Sequence, residues 1–387
     1  MGRNKLPQRP KKHAIDFYLL FVIFCLLTIG VLMVFSASSV NAFMTYKNTY
    51  HFFIRQAVWV TLGLGGLFFL MHYDYYRLKK LGPSLIFISI LLLVGVLMFG
   101  KNINGATSWY SYGGFSFQPT ELLKPILVIA LAGMLVKKQD KIGTFIEGMG
   151  PSFVLLGILV GLVMAQPDMG TTMILVGITF VMLLIAGANL WYFGIMGTVG
   201  SLLAFMMIWT SDYRRDRLLN FLDPWKDALD SGYQLVQSLY AIGSGGAIGL
   251  GLGHSKQKFA WLPEEHNDFI FSIISEELGF VGGFTVIALF AVFAWRGYSI
   301  AKKAPDSFAL LVAGGLTSMI MMEAVINLAV VTGSMPVTGM TLPFVSYGGS
   351  SLLFKLSAMG ILLNISRYTI ETREDIVASP EKKVTMT

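Results

Sequence analysis

Residues 17–40 read FYLLFVIFCLLTIGVLMVFSASSV and contain no charged side chain. A transmembrane helix needs roughly 20 consecutive apolar residues, whereas a barrel strand needs about ten residues that alternate between polar and apolar. The stretch is also too long for the apolar core of a signal peptide, and no clear cleavage site accompanies it. It therefore predicts a retained membrane-spanning helix.

Similar apolar tracts recur along the 387 residues, of which 55% are hydrophobic and only 13% are charged. Soluble domains carry about 25% charged residues, and the mean hydropathy of +0.66 agrees with this contrast. The single cysteine, Cys25, excludes a disulfide within the chain. We predict an all-α, polytopic membrane protein with about ten transmembrane helices, near residues 17–37, 53–71, 84–100, 121–136, 151–166, 169–187, 190–210, 269–294, 308–332 and 349–366.

The positive charges predict the topology of these spans. With the N-terminus in the cytoplasm, 18 of the 29 Lys and Arg residues fall in inner segments, and only Lys47 and Lys101 fall in short outer loops. Cytoplasmic loops of membrane proteins carry such an excess of Lys and Arg, so we expect both termini in the cytoplasm. Because the cations are scattered between apolar tracts and do not form one patch, we do not expect a nucleic-acid partner.

This topology divides the chain into a basic cytoplasmic tail (1–16), a transmembrane domain (17–366) and a cytoplasmic C-terminal tail (367–387). Residues 211–268 form a large extracytoplasmic loop within the transmembrane domain. Leu235, Leu239 and Ile242 recur there at helical spacing. We expect short helices that lie on the outer surface, not a separate soluble domain.

Residues 241–280, AIGSGGAIGLGLGHSKQKFAWLPEEHNDFIFSIISEELGF, contain the strongest candidate for a catalytic group. The glycine-rich first half leads into a charged middle, and Asp268 directly precedes the apolar eighth span. A carboxylate at that position can face water while its neighbours stay dry. An N-terminal cap that stabilises the helix dipole explains its position equally well.

Glu276 and Glu277 follow two helical turns later. Ionisable residues inside a bilayer are expensive and normally face a cavity or a partner. Because adjacent helical residues point about 100° apart, only one of the two shares a face with Asp268, and Glu276 comes closer. The alternative is an interhelical ion pair with a cation such as Arg55, Lys124 or Lys355.

Glu121 and Lys124 lie three residues apart near the start of the fourth span, after a polar and glycine-rich outer loop. This spacing permits a salt bridge. Buried beneath the loop, the same two groups could also orient a catalytic acid or bind an anionic head group. Asp168, in the turn between spans five and six, is a weaker candidate because a tight turn is sufficient to explain it.

The remaining candidates lie on the predicted outer side. Arg214, Arg215 and Arg217 follow the seventh span, where interfacial snorkelling explains them about as well as phosphate binding does. Ser346 is a candidate substrate-binding or supporting residue in an irregular loop, since non-helical backbone near a membrane must be buried in protein or line a water-filled space. His266 lacks neighbours at zinc-ligand spacing, so we predict no metal cage.

Several motifs, in this order along the chain, resemble those of the SEDS family (shape, elongation, division and sporulation). They include NGATSW, QPTELLK, QPDMGTT, YQLVQSLYAIGSGG, LPEEHNDFIFSIISEELG and LPFVSYGGSS, and the likeness covers nearly all of the chain apart from the two tails. The segments GHSKQKFAWLPE and VVTGSMPVTG are closer to the FtsW and SpoVE branch than to RodA. Thr120, Asn267 and Ser108 depart from commoner family residues, and the departure at Ser108 argues against a phosphate-binding role there.

The resemblance implies a peptidoglycan glycosyltransferase that polymerises lipid II at the outer face of the cytoplasmic membrane, in septal wall synthesis during cell division. The implied partners are lipid II, a class B penicillin-binding protein that crosslinks the glycan, and divisome proteins. The resemblance also implies that Asp268 is the catalytic carboxylate and that Glu121 and Lys124 border the same cavity. A flippase for lipid-linked sugars and a non-catalytic scaffold for a transpeptidase are the alternative classes.

Lipid II carries its diphosphate in the α configuration and the polymer is β-linked, so the implied reaction inverts the anomeric centre and needs one base. We predict that Asp268 takes the proton from the 4-hydroxyl of the acceptor GlcNAc, with Glu276 as a supporting residue beneath it. The leaving diphosphate needs positive charge, which the outer arginines, Lys256 or a divalent cation such as Mg²⁺ or Mn²⁺ could supply.

Overall fold

The computed structural model describes residues 12–103, 106–112, 115–209, 215, 221–228, 232–259 and 261–369. Most of this chain is α-helix. The helices are α1 (Phe17–Tyr46), α2 (His51–His72), α3 (Tyr75–Phe99), α4 (Pro119–Lys137), α5 (Gly150–Met164), α6 (Met169–Ile185), α7 (Leu190–Trp209), α8 (Tyr233–Ser244), α9 (Ile270–Lys302), α10 (Ser307–Val331) and α11 (Ser350–Ser366). Short helical turns occupy Gln139–Lys141, Phe145–Met149 and Pro224–Asp227.

The ten predicted spans coincide with ten of these helices, α8 being the additional one, and this agreement confirms the fold class. Within the described ranges, seven helices are long and apolar enough to cross a membrane, and α6 and α11 are shorter apolar helices. The differences lie at helix ends. α1 continues to Tyr46 and α9 continues to Lys302, beyond the predicted ends at 37 and 294. α3 begins at Tyr75, nine residues before the predicted start at 84.

α4 and α10 form the centre of the bundle. The protein buries 78% and 72% of their most apolar stretches, compared with 17% for α2. α10 packs against α4, α6, α9 and α11. The charged side chains of Lys124 on α4 and Glu323 on α10 are therefore enclosed by other helices and do not face lipid.

α2 packs closely against α11 at the side of the bundle, with Gly63 and Gly360 in the contact. A methyl group added to Gly360 would overlap the main-chain oxygen of Leu67. Small residues of this kind let transmembrane helices approach closely, and van der Waals packing then holds them together.

α1 connects distant parts of the chain. The side chain of Asp16 caps α1 by accepting a 3.0 Å hydrogen bond from the N–H of Leu19, and it also forms an ion pair with Arg296 of α9. Further along, a side chain at Gly30 would come within 2.5 Å of the carbonyl oxygen of Phe344. The glycine therefore lets α1 lie directly against the loop that precedes α11.

A small antiparallel sheet covers part of the region between α3 and α4. Its strands are β1 (Lys101–Ile103), β2 (Ala106–Tyr112) and β3 (Phe115–Phe117), in that order. The sequence prediction described this region only as an outer loop. The aromatic residues of ATSWYSY and FSF favour strands, but the runs are too short to stand out beside long apolar spans.

The long segment after α7 contains α8, as the helical spacing of its apolar residues predicts. The buried face of α8 packs against α9 and α10, and it carries Leu235, Val236, Ser238 and Ala241. The hydroxyl of Ser238 donates a 2.7 Å hydrogen bond to the carbonyl of Val331 at the end of α10. α8 is thus fixed to the membrane helices.

α9 is interrupted at Gly279, where φ is 67° and ψ is −163°. Glycine adopts this conformation readily because it has no Cβ atom. Residues 245–252, GGAIGLGL, which we call the glycine-rich loop, pack against the interruption. The N–H groups of Leu250 and Gly251 each donate a 3.0 Å hydrogen bond to a main-chain carbonyl of α9.

We expect Gly360→Ala to lower the stability of the protein by about 1–3 kcal/mol, because the new methyl group forces α2 and α11 apart. Thermal unfolding in detergent, followed by size-exclusion chromatography, measures the change. Gly157→Ala is the matched control, since a Cβ atom at this helical glycine meets nothing within 4 Å. Equal melting temperatures for the two variants would contradict the close contact.

Candidate active site

Asp268 is half-buried and lies just outside α9, whose N-cap position is occupied by Phe269. Asp268 therefore lies one residue before the N-cap position and is not the N-cap residue itself. Its main-chain carbonyl accepts a 2.8 Å hydrogen bond from Nδ2 of Asn327, and the same amide donates to the carbonyl of Met340 at 2.6 Å. Asn327 thus ties the candidate base to α10 and to the loop before α11.

The loop before α11 comes close to the Asp268 carboxylate at Gly339. A Cβ atom at Gly339 would lie 3.7 Å from Oδ2 of Asp268, and the φ angle of this glycine is +74°. A positive φ is a conformation that glycine adopts at no steric cost. The backbone therefore passes beside the carboxylate without a side chain between them.

A network of four charged side chains lies in the centre of the bundle. We call Glu121, Lys124, Glu323 and Lys355 the buried ionic network. Nζ of Lys124 lies 2.7 Å from Oε1 of Glu121 and 2.6 Å from Oε1 of Glu323, and Nζ of Lys355 lies 2.8 Å from Oε2 of Glu323. The predicted Glu121–Lys124 pair is confirmed, as part of a larger set whose formal charges cancel.

The members of the buried ionic network differ in exposure. The side chains of Lys124 and Glu323 are 1% and 0% exposed, whereas that of Glu121 is 11% exposed. Oε2 of Glu121 accepts a 2.8 Å hydrogen bond from the hydroxyl of Ser351. Glu121 is thus the end of the network that is most open to the surroundings.

Two connections join the buried ionic network to the surroundings of Asp268. Glu323 and Asn327 are four residues apart on α10, so their side chains lie on the same face one turn apart. Nζ of Lys355 donates a 3.4 Å hydrogen bond to the hydroxyl of Thr341, the residue after Met340. The buried ionic network and the contacts of Asn327 therefore both involve α10 and the loop before α11.

Glu276 and Glu277 bind the segment that follows the glycine-rich loop. Glu276 accepts hydrogen bonds from the hydroxyl of Ser255 at 2.5 Å and from the N–H of Lys256 at 2.9 Å. Oε1 of Glu277 lies 3.1 Å from Nζ of Lys258.

The proposed interhelical pairs of Glu276 and Glu277 with Lys124 or Lys355 are wrong, because the buried ionic network engages both lysines. The hydroxyl of Ser36 on α1 also contacts both oxygens of the Glu277 carboxylate, at 2.8 and 2.7 Å. The two carboxylates therefore join α9 to α1 and to residues 255–258.

The predicted cationic residues differ in where they fall. The side chain of Lys256 is exposed, while its main-chain N–H donates to Glu276. Arg214 and Arg217 lie outside the described residues, so their roles stay predictions. Arg215 is described and has an interaction partner.

Ser346 is buried and bonds within its own loop, where its hydroxyl accepts a 2.8 Å hydrogen bond from the N–H of Leu342. Its carbonyl accepts from Nε2 of Gln56 at 3.2 Å. Since its hydroxyl is engaged in this way, the geometry favours the supporting interpretation of Ser346 over direct contact with a substrate.

Asp168 caps α6 by accepting hydrogen bonds from the N–H and the hydroxyl of Thr171, at 2.9 and 2.7 Å. Burial raises the pKa of the Asp168 carboxyl above its ordinary value, and the bonds from Thr171 oppose this rise. The turn interpretation is sufficient to explain Asp168.

His266 packs its ring against Phe52, with centroids 4.4 Å apart, and against Tyr347 at 5.6 Å. Among the residues that the structure describes, no three His, Cys, Asp or Glu side chains are grouped as metal ligands.

Sequence reasoning missed three residues that the geometry brings forward, namely Glu323, Asn327 and Ser36. Glu323 had a visible signal, because it is an acid in the middle of the apolar ninth span. Ser36 and Asn327 lie in segments 35–38 and 327–333, which also resemble the family, but small polar residues are common in transmembrane helices and neither was predicted as a site residue.

These features define a polytopic helical membrane protein with a neutral ionic network beneath a half-buried aspartate. Residues 17–371 match the FtsW, RodA and SpoVE family of cell cycle proteins. The chain belongs to this family, which confirms the resemblance to the SEDS family.

Curated relatives agree with this membership over almost their full length. Stage V sporulation protein E of Bacillus subtilis is 44% identical over 361 residues, which cover 93% of this chain and 99% of that protein. The probable peptidoglycan glycosyltransferase FtsW of Geobacter sp. (strain M18) is 40% identical over 353 residues, covering 91% of this chain and 96% of that protein. The chain therefore falls in the FtsW and SpoVE branch, as predicted.

Solved structures show the same fold. A chain from a study of polymerization and crosslinking by a peptidoglycan synthase complex superposes with a TM-score of 0.77 at 32% identity, covering 92% of this chain and 98% of that chain. The rod shape determining protein RodA of Thermus thermophilus gives a TM-score of 0.69 at 29% identity, covering 93% and 99%.

We expect Glu323→Gln to destabilise the protein by about 3–5 kcal/mol, because it leaves two buried lysines with one carboxylate between them. Thermal unfolding in detergent measures the loss. The control is Glu147→Gln, which removes the acid of an exposed Lys141–Glu147 pair and should leave the melting temperature unchanged. A small effect at both positions would contradict the importance of the buried ionic network.

Proposed function

We propose that this protein is a peptidoglycan glycosyltransferase that polymerises lipid II into glycan strands at the outer face of the cytoplasmic membrane, in septal wall synthesis. The observation that carries the proposal is the placement of Asp268. Its carboxylate is half-buried at the end of a membrane helix, and its main chain is fixed by Asn327. The names of the FtsW relatives support the same activity.

Asp268 acts as the general base in this proposal. The 4-hydroxyl oxygen of the acceptor GlcNAc attacks C1 of the donor MurNAc, and the bond between C1 and the diphosphate oxygen breaks. Undecaprenyl diphosphate leaves, and the hydroxyl proton passes to the Asp268 carboxylate. Attack on the face opposite the leaving group inverts the anomeric centre, so a single carboxylate is sufficient.

The buried ionic network supplies rigidity in this scheme. It joins α4, α10 and α11, and α10 in turn holds Asp268 through Asn327. Enzymes gain rate when reacting groups are held in the productive geometry before the reaction begins. Glu121 and Lys124 thus act on the reaction through the position of α10.

The leaving diphosphate requires positive charge nearby. Lys256 is a candidate because its side chain is exposed on the segment that precedes Asp268. Arg214 and Arg217 are further candidates from the sequence. A divalent cation bound to the diphosphate would supply charge in the same place.

A class B penicillin-binding protein is the proposed partner, which crosslinks the glycan as this chain produces it. The structural likeness to a synthase complex that coordinates polymerization and crosslinking supports this pairing. Divisome proteins are the expected wider partners. The distribution of Lys and Arg supports a topology with both termini in the cytoplasm and Asp268 on the outer side.

The test is Asp268→Asn in purified protein, reconstituted in liposomes with its transpeptidase partner and supplied with labelled lipid II. We expect glycan polymer from the unmodified protein and none from the variant, since the amide accepts no proton from the acceptor hydroxyl. Asp140→Asn, in an exposed turn, is the matched control and should polymerise normally.

Other outcomes assign the alternative classes. Polymer from the Asp268→Asn variant would refute the role of this residue. If neither the unmodified protein nor the variant makes polymer, but labelled lipid II moves across the liposome membrane, the chain is a flippase. Polymer that depends only on the partner would identify a scaffold.

We expect Asn327→Leu to lower kcat by about 10- to 100-fold with little change in KM, because a misplacement of about 1 Å at the base costs this much. Asn364→Leu is the matched control, since Nδ2 of this buried asparagine donates to the carbonyl of Met71 at 2.8 Å. Both variants lose stability, but only the first should lose turnover per folded molecule. Equal turnover would contradict the positioning role.

A further inference from the structure

α9 is longer than a membrane is thick. Its 33 residues, interrupted at Gly279, would give about 50 Å if they formed one straight helix at about 1.5 Å per residue, whereas a hydrocarbon core is about 30 Å thick. The stretch free of charge, 278–295, lies between Glu277 and Arg296. This stretch is the part of α9 that fits the hydrocarbon core.

The face of this stretch near its start is apolar and unpacked. Phe280 is 71% exposed, and Val281 and Phe284 are each 58% exposed. Large apolar side chains on the outer face of a membrane helix are in contact with lipid. The lipid-facing surface of α9 therefore begins close to Phe280.

The glycine-rich loop lies against α9 at this level. Four main-chain hydrogen bonds of 2.9 to 3.2 Å join the two segments. They run from Leu250 N to Glu276 O, from Gly251 N to Glu277 O, from Phe280 N to Gly246 O and from Val281 N to Ala247 O.

Glycines make this contact possible. A Cβ atom on Gly245, Gly249 or Gly279 would overlap main-chain atoms of the opposite segment, and Gly249 and Gly279 also have positive φ angles. The loop and the interrupted helix are therefore in direct backbone contact, with no room for side chains between them.

The side chains of the glycine-rich loop that point away from α9 are apolar. Ile248 is 82% exposed, Leu252 is 61% exposed and Leu250 is also exposed. The loop contains no charged residue. The polar groups of the next segment turn inward, where Ser255 and Lys258 bind Glu276 and Glu277.

We propose that the glycine-rich loop is embedded in the acyl-chain region of the leaflet on the Asp268 side, with Ile248 and Leu252 in contact with lipid. The exposed apolar surface of the loop continues the lipid-facing surface of α9 at Phe280 and Val281. The hydrogen bonds to α9 satisfy main-chain groups of the loop, as non-helical backbone at membrane depth requires. This inference rests on the membrane fold and is independent of the catalytic proposal.

The test places single cysteines in a Cys25→Ser background, labels them with a small fluorophore and reconstitutes the purified full chain in phospholipid nanodiscs. The sites are Ile248→Cys and Leu252→Cys. Phe284→Cys is the lipid-facing control and Lys141→Cys, in an exposed turn, is the water-facing control. Because both loop side chains are exposed, these substitutions leave the core intact.

We expect brominated lipid to quench the labels at 248 and 252 within about twofold of its effect at 284, and iodide in the buffer to quench them at least fivefold less than at 141. Iodide quenching equal to that at 141 would overturn the proposal. So would protection from both quenchers, because that result would show that protein covers the loop.

Discussion

The packing of the central helices depends on the two ion pairs that Glu323 makes, one with Lys124 and one with Lys355. Taking ions out of water is costly, and the cost is offset only where each charge has a partner in good geometry. α4, α10 and α11 must therefore be placed together, each with one side chain directed to the same point. Apolar packing alone tolerates sliding between helices, whereas this set of contacts does not.

Asp268 is positioned both by the central helices and by the irregular loop before α11. The interior fixes α10, and the amide of Asn327 passes this fixed position to the main chain of Asp268 and to the loop at Met340. The carboxylate itself is half-buried. The irregular backbone around Asp268 can still hold a fixed position, because it is hydrogen-bonded to α10, which is itself held by the central helices.

The sequence predicts most of the fold and part of the site, for separable reasons. Long apolar tracts and scattered cations are strong signals, so ten spans could be located to within a few residues, except at the start of α3 and at the far ends of α1 and α9. Asp268 and the Glu121–Lys124 pair depend on local spacing and were found. The partners of Glu276 and Glu277 were not, because Ser36 is 241 residues from Glu277 and no local pattern encodes such a contact. Glu323 had a signal in its membrane position, yet a lone acid does not indicate which cations it joins.

The contacts of α1 bear on the order in which the protein assembles. Ser36 bonds to Glu277, Asn41 donates a 3.1 Å hydrogen bond to Glu265, and Gly30 lies against the loop at Phe344. These partners all follow α8 in the chain, so they are synthesised after the described helices α2 to α8. The first helix to enter the membrane is therefore among the last to complete its packing. Until then its serines and asparagine must find other hydrogen-bond partners, so a chain truncated before α9 should present this polar surface to the quality-control machinery of the cell.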